Sequence, residues 1–228
     1  MRARLAGPAT EVVRRARRAV ARRQRPAATA TARPLAPAPL SLDPTERALD
    51  FRQPDDTSCG AASLVFARML RDEAYAAHVM ADPAHWRAEV LAMHRRVGGL
   101  RDHDGRWQWP WLRVVGTSPW GAARQMGGGP ERSGRGTRYA ARALDPDDLG
   151  AEFDRILAAA SAGHTVPLYV GDALHPAHVV LVVSAEQNRL RVYEPSAGRM
   201  LRIGREAFAT SRFRLGGWSV PWFAVLPR

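Results

Sequence analysis

The chain carries one cysteine, Cys59, within Gln53-Pro-Asp-Asp-Thr-Ser-Cys59-Gly60-Ala-Ala-Ser. Ala61, Leu64, Val65 and Met69 recur beyond it at helical spacing, which predicts a helix over about 58–70, capped by Thr57 or Ser58. A thiol at the N-terminus of a helix meets unpaired N–H groups and the positive end of the dipole, both of which favour a thiolate. The thiolate is the competent nucleophile. Gly60 is expected to leave the neighbouring space open to a substrate, while Asp55 and Asp56 oppose the thiolate unless they cap the helix and face away. The plain alternative is a buried, inert cysteine. Against it stand the Ser and Gly neighbours, which are not core residues.

A nucleophilic thiol needs a base, and one histidine is well placed to be one. His178 opens the run His178-Val-Val-Leu-Val-Val-Ser, nearly unbroken in apolar character and typical of a buried central strand. Its ring is expected at the end of the sheet, where it can reach a thiol from another element. His175, in the preceding loop, is the weaker candidate. Glu186-Gln-Asn188 then marks a turn, so residues whose numbers sum to about 373 should face each other across a hairpin. That register sets His178 across from Glu194 or Pro195 on a shared face. A carboxylate there accepts the second imidazole N–H and stabilises the imidazolium.

The elements that must position these groups follow from the pattern on either side. A second helix is expected from Asp82-Pro83, an N-cap followed by proline at the first helical position, to Gly98-Gly99. A third has the same opening at Asp145-Pro146, with Asp147 and Asp148 in its first turn. Its apolar face is Leu149, Phe153, Ile156, Leu157 and Ala160, and Gly163 ends it. After Gly163 the period becomes that of strands, at 166–170, 178–184, 190–193, 200–203 and 219–226. Helices first and strands afterwards argue α+β with a mostly antiparallel sheet.

These residues carry a family resemblance. Gln53 followed by Cys59-Gly and Ala-Ser-Leu resembles the opening of papain-like cysteine peptidases, and most of all the bacteriocin-processing group, cysteine peptidase family thirty-nine. His-Val-Val-Leu-Val and Tyr193-Glu-Pro-Ser-Ala-Gly198 are similar to that group's His-bearing strand and its Asp-Pro-containing strand. The resemblance implies a papain-like fold, with the helix that carries the Cys packed on the sheet. It implies Cys59 as nucleophile, His178 as base, Gln53 in the oxyanion hole and Glu194 orienting the imidazole. Glu194 stands where the family has Asp or Asn, one methylene longer. The activity implied is hydrolysis of a peptide or amide bond, with no cofactor. The same residues would also serve an acyl or peptidyl transferase, and a catalytically silent peptide-binding domain would keep the fold.

Charge narrows the partners. All 34 basic residues are Arg, and of the net +12, residues 1–40 hold +9. The remaining body is close to balanced. Residues 1–41 read as a basic, Ala/Pro-rich disordered tail, and the folded domain is expected over 42–228. Within the tail, 12–21 suits a short helix with Val12, Val13, Ala16 and Val20 on one side. Such a tail reads first as a solvated extension and otherwise as an arm for nucleic acid or an anionic surface, although no aromatic interleaves with its arginines. A single Cys excludes an intrachain disulfide, and no run approaches the ~18–20 apolar residues of a spanning helix. With no secretory signal pattern, a cytoplasmic location is expected.

Three further features stand out. Trp107, Trp109, Trp111 and Trp120 suit either a cleft wall or packing under a loop. Gly127-Gly-Gly-Pro with Ser133-Gly-Arg-Gly136 lacks the Lys and the strand–turn–helix setting of a phosphate loop, and reads as a flexible loop. A metal site would have to use His175, His178 and Cys59, and without a second Cys none is expected.

Overall fold

The computed structural model describes residues 6–24, 51–101, 105–107, 116–127 and 137–228. Seven helices and six strands are present among them. They run α1 (Ala6–Arg23), α2 (Cys59–Met69), α3 (Glu73–Met80), α4 (Pro83–Val97), α5 (Pro119–Met126), β1 (Tyr139–Ala143), α6 (Leu149–Ser161), β2 (Val166–Gly171), β3 (Pro176–Glu186), β4 (Arg189–Glu194), β5 (Arg199–Gly204), α7 (Arg205–Ala209) and β6 (Val220–Pro227). The strands form one sheet in the order β1-β6-β2-β3-β4-β5, every pair antiparallel. The architecture is α+β, as the order of helical and strand periods predicts.

Alternation along the central strands divides the core in two. Tyr169, Val179, Leu181 and Tyr193 face a cluster built with α2, α3, α4 and α5. Leu168, Val170, Val180, Val182 and Val192 face the other, built with α6 and α7. Because β2 and β3 are covered on both faces, they read as continuous apolar runs. α2 is buried almost all round, from Cys59 to Met69. Phe66 of this helix stacks on Tyr193 of β4, ring centroids 4.2 Å apart, which fixes α2 against the strand carrying Glu194.

Several boundaries differ from the sequence expectation, each for a local reason. Ser58 occupies the N-cap of α2 but makes no capping bond. Its hydroxyl instead donates to the Asp55 carbonyl and accepts the Asp55 N–H. α6 begins at Leu149, not at Asp145-Pro146, because Asp148 is the residue that caps it, accepting from the Ala151 N–H. Asp145 holds a preceding turn through the Asp147 N–H. α3, α5, α7 and β1 were not expected. α5 opens on Ser118-Pro119, the same cap-and-proline signal that marks α4 at Asp82-Pro83.

In the N-terminal segment the short helix expected over 12–21 is present and longer, since 6–23 form α1, but it presents another face: it packs beside β1 and β6. Its inward stripe is Thr10, Val13, Arg17 and Ala21, one helical face. Val12, Ala16 and Val20 point to solvent. Arg17 is the reason the stripe was misread, since an arginine marks a solvent face unless something receives it. Here its guanidinium lies 4.1 Å over the Trp222 ring and donates to the Pro221 carbonyl. Arg14 and Arg18 pair with Asp147, and Gln24 accepts from the Ala143 N–H. The Ala/Pro-rich stretch to residue 40 and the start of the domain near Leu42 lie outside the described residues. So do Trp109, Trp111 and the Gly-rich segment after Gly127.

Candidate active site

Cys59 is the first residue of α2 and is buried at its tip. With Ser58 turned away, no side chain caps the first turn, so its N–H groups remain disposed toward whatever lies beside the sulfur. Asp55 is held in its own turn, its carboxylate accepting the N–H and the hydroxyl of Thr57 at 3.0 and 2.9 Å. The space beside Gly60 is not open, as the sequence reading expected. A Cβ there would stand 2.5 Å from the Thr117 Cβ. The glycine therefore admits Thr117, from the segment before α5, against the helix tip.

His178 is the third residue of β3, paired with Val170 next to a bulge at Ala177 in the same strand. Across the β3–β4 hairpin, Leu181 pairs with Tyr193 and Val182 with Val192. A bulge between Val182 and Ser184 then shifts the register by one. His178 and Glu194 are therefore diagonal neighbours on one face and not directly opposite. The longer glutamate side chain spans the diagonal, and His178 Nε2 lies 2.7 Å from Glu194 Oε1. Glu194 Oε1 also accepts the Ser196 N–H at 2.9 Å, and Oε2 accepts the Ser196 hydroxyl at 2.7 Å. The carboxylate is thus held from both oxygens by the turn that follows it.

Both groups are nearly sealed from solvent. Burial alone would discharge the imidazole, but hydrogen bonds to Cys59 and Glu194, and the charges on both, raise His178 to about 9. Burial likewise opposes the Glu194 charge. The bonds from His178 and Ser196 overcome it and lower the carboxyl to about 2. Since Glu194 takes Nε2, Nδ1 is the ring nitrogen left for the Cys59 thiol. Gly216, at a φ of 56°, packs against the ring. A Cβ there would come within 2.8 Å of His178 Cδ2 and Nε2.

Gln53 lies in the segment that enters α2. Its backbone N–H donates to the Pro195 carbonyl at 2.8 Å, and the Tyr193 hydroxyl donates to the Phe51 carbonyl. These two bonds clamp residues 51–53 to the end of β4, beside Glu194. The Gln53 side chain donates from Nε2 to the Asp55 carbonyl at 2.8 Å, and its Oε1 is buried with no protein partner. One hydrogen of the amide is thus engaged locally, and one is left.

His175, His78 and His85 stand apart from this arrangement. His175 pairs through Nδ1 with Asp172 at 2.8 Å and meets the edge of Trp218. His78 and His85 stack on each other. Trp107 and Trp120 are exposed. Four residues around the site escaped the sequence reading: Thr117, Tyr169, Ser196 and Gly216. The Gly216-Gly217 pair carried a signal for an unusual backbone, and Ser196 follows Glu194-Pro195 directly. Thr117 and Tyr169 carried none.

Among the described residues no helix is long and apolar enough to cross a membrane. No family model matches the sequence, and no curated protein matches it. Among solved structures the chain is similar to the peptidase domain of Streptococcus ComA, a bi-functional ABC transporter involved in a quorum-sensing pathway. The two share 16% identity over 78% of this chain and 96% of that one, with a TM-score of 0.36. A likeness that loose leaves the chain's own geometry as the ground for its function.

Proposed function

We propose that this chain is a papain-like cysteine hydrolase that cleaves a peptide or amide bond. One observation carries the reading. A thiol at an uncapped helix tip shares a buried histidine with a carboxylate, and the three come from α2, β3 and β4. Protons and charge are ordered along this line. The Cys59 proton passes to His178 Nδ1, Glu194 stabilises the imidazolium at Nε2, and Ser196 holds Glu194 in place. The thiolate attacks the substrate carbonyl, and the developing oxyanion meets the Cys59 backbone N–H and the remaining N–H of Gln53. His178 then protonates the leaving amine, and water, activated by the same imidazole, releases the acyl group. The acyl group could equally be released to an amine acceptor, and the residues of the site are the same for both.

In this reading the hydrolase domain spans 42–228, and α1 is an accessory helix held on the sheet by Arg17. The test needs no substrate, because Cys59 is the one thiol in the chain. Alkylation by iodoacetamide is measured against pH for the wild type and for His178→Ala. A rate that persists well below pH 7 in the wild type and collapses in the variant is the expected result. A rate that rises only near the ~8.5 of a free thiol, indifferent to the substitution, overturns the assignment.

A further inference from the structure

Tyr169, in the middle of β2, is paired with Val179 of β3 and Phe223 of β6. Its side chain faces the cluster that holds α2, and its hydroxyl is buried with no protein hydrogen-bond partner. Such a group is costly, because its lost hydration is not replaced. A phenylalanine would fill the same space without that cost. What sits above it gives the hydroxyl a use. Ser63 of α2 bonds the Val179 carbonyl at 3.4 Å, which sets the helix over the Tyr169–Val179 pair. Cys59 lies one turn before Ser63 on the same helix, in the same buried cluster as Tyr169.

The proposal rests on the cysteine-hydrolase reading and deepens it. We propose that the Tyr169 phenol stabilises anionic sulfur at Cys59, its buried O–H turning toward the thiolate from the floor of the site. While the thiol is neutral, the O–H has only a weak acceptor nearby. When the thiol proton moves to His178 Nδ1, the sulfur becomes a full anion and a strong acceptor. The phenol keeps its own proton throughout, so the step transfers one proton, from Sγ to Nδ1, and nothing else. Burial first, and the Cys59 charge second, hold the phenol protonated far above its ordinary range, which leaves it a donor at every working pH. The titratable groups acting on this pair are few. Cys59 acts on Tyr169, and Cys59 and Glu194 act on His178. Tyr169 is thus a positioning and tuning residue for the nucleophile.

The test is Tyr169→Phe in the full chain, read by two measurements that a structural role would move together and this role moves apart. Thermal stability stays level or rises, because the orphaned hydroxyl is gone. The low-pH limb of the alkylation profile shifts upward, and the rate at pH 5 falls ~10–100-fold, the worth of a hydrogen bond to a charged group. A second sample carries 3-fluorotyrosine at position 169. Its more acidic phenol is a stronger donor in an unchanged shape, so the limb moves to lower pH. Profiles that superimpose on the wild type in both samples overturn the role of Tyr169 and leave the Cys59–His178 assignment standing. A wild type with no low-pH limb overturns both. Opposite displacements in the two samples, with folding intact, establish the role.

Discussion

Replacing Glu194 by Gln separates charge from shape at the centre of the site. In the wild type Oε1 accepts from His178 Nε2 and the Ser196 N–H, and Oε2 accepts from the Ser196 hydroxyl. A glutamine satisfies all three in one orientation. Its Oε1 keeps the two donors, and its Nε2 donates to the Ser196 oxygen. The flipped amide would set its N–H₂ against two donors, so the orientation is fixed. Only the charge is lost. His178 stands at about 9 against an ordinary 6.5, a preference of about 3 kcal/mol for the imidazolium. Cys59 and Glu194 both supply it against burial, so together they contribute more than the net rise; with the carboxylate's share taken as roughly half, its loss lowers the His178 midpoint by more than about one pH unit. Cys59→Ala removes the other share and also lowers it. The assay is a titration of the imidazole nitrogens by NMR in isotopically labelled protein, with His178 identified by the signal missing from His178→Ala. Stability follows with a definite sign. The depressed Glu194 contributes above its unfolded value of about 4.5 and loses that contribution as pH falls toward 2. The raised His178 contributes fully below 6.5 and loses its contribution as pH rises through 9. The pair is therefore most stabilising at about pH 4.5–6.5, and Glu194→Gln flattens both arms. A His178 that titrates near 6.5 in the wild type, or at the same pH in wild type and Glu194→Gln, refutes the reasoning.

Three further substitutions test the surroundings. Gly60→Ala drives a Cβ into Thr117 and is expected to destabilise by about 1–3 kcal/mol in chemical denaturation. Thr117→Ala in the same chain should restore most of that loss. Gly216→Ala places a Cβ against the imidazole at a left-handed φ. The backbone alone costs on the order of 1 kcal/mol, but low-pH alkylation of Cys59 should fall much further than the melting temperature, because the ring itself is displaced. Arg17→Ala strips the Pro221 carbonyl of its donor and uncovers Trp222. A loss of about 1–3 kcal/mol is expected, together with increased proteolytic cleavage of residues 6–23.

What was legible in the sequence is what local physics decides. Asp82-Pro83 marks the start of α4, the 166–170 and 178–184 runs mark β2 and β3, and the 186–188 turn places Glu194 near His178. The hairpin turns at Gln187-Asn188, one residue later than expected, so pairs beside the turn sum to 375 and not 373; a bulge at Val182/Ser184, which leaves no trace in the residue types, brings the sum back to 374. The diagonal offset between His178 and Glu194 is what the glutamate side chain spans. At a diagonal separation the extra methylene is reach and not excess. Contacts between distant segments were not legible. Thr117 against Gly60, Gly216 on the imidazole and Arg17 on Trp222 join residues 38 to 205 positions apart, and no local periodicity encodes them. Arg17 misled for a sharper reason. Its burial depends on a carbonyl and a ring that the chain supplies only in its last strand.

That last strand also sets an order in time. β6 is made after every other strand, yet it lies inside the sheet, between β1 and β2. During synthesis β2 therefore waits with an open, apolar edge, and Tyr169 lacks the Phe223 that will stand beside it. α1, made before any strand, has no Trp222 to receive Arg17 until the same moment. The insertion of one strand closes the sheet, walls the floor beneath Cys59 and seats the N-terminal helix together. A nascent chain therefore holds Cys59, His178 and Glu194 in translated form before it holds them in one closed arrangement, because the strand that completes their surroundings is made after all three.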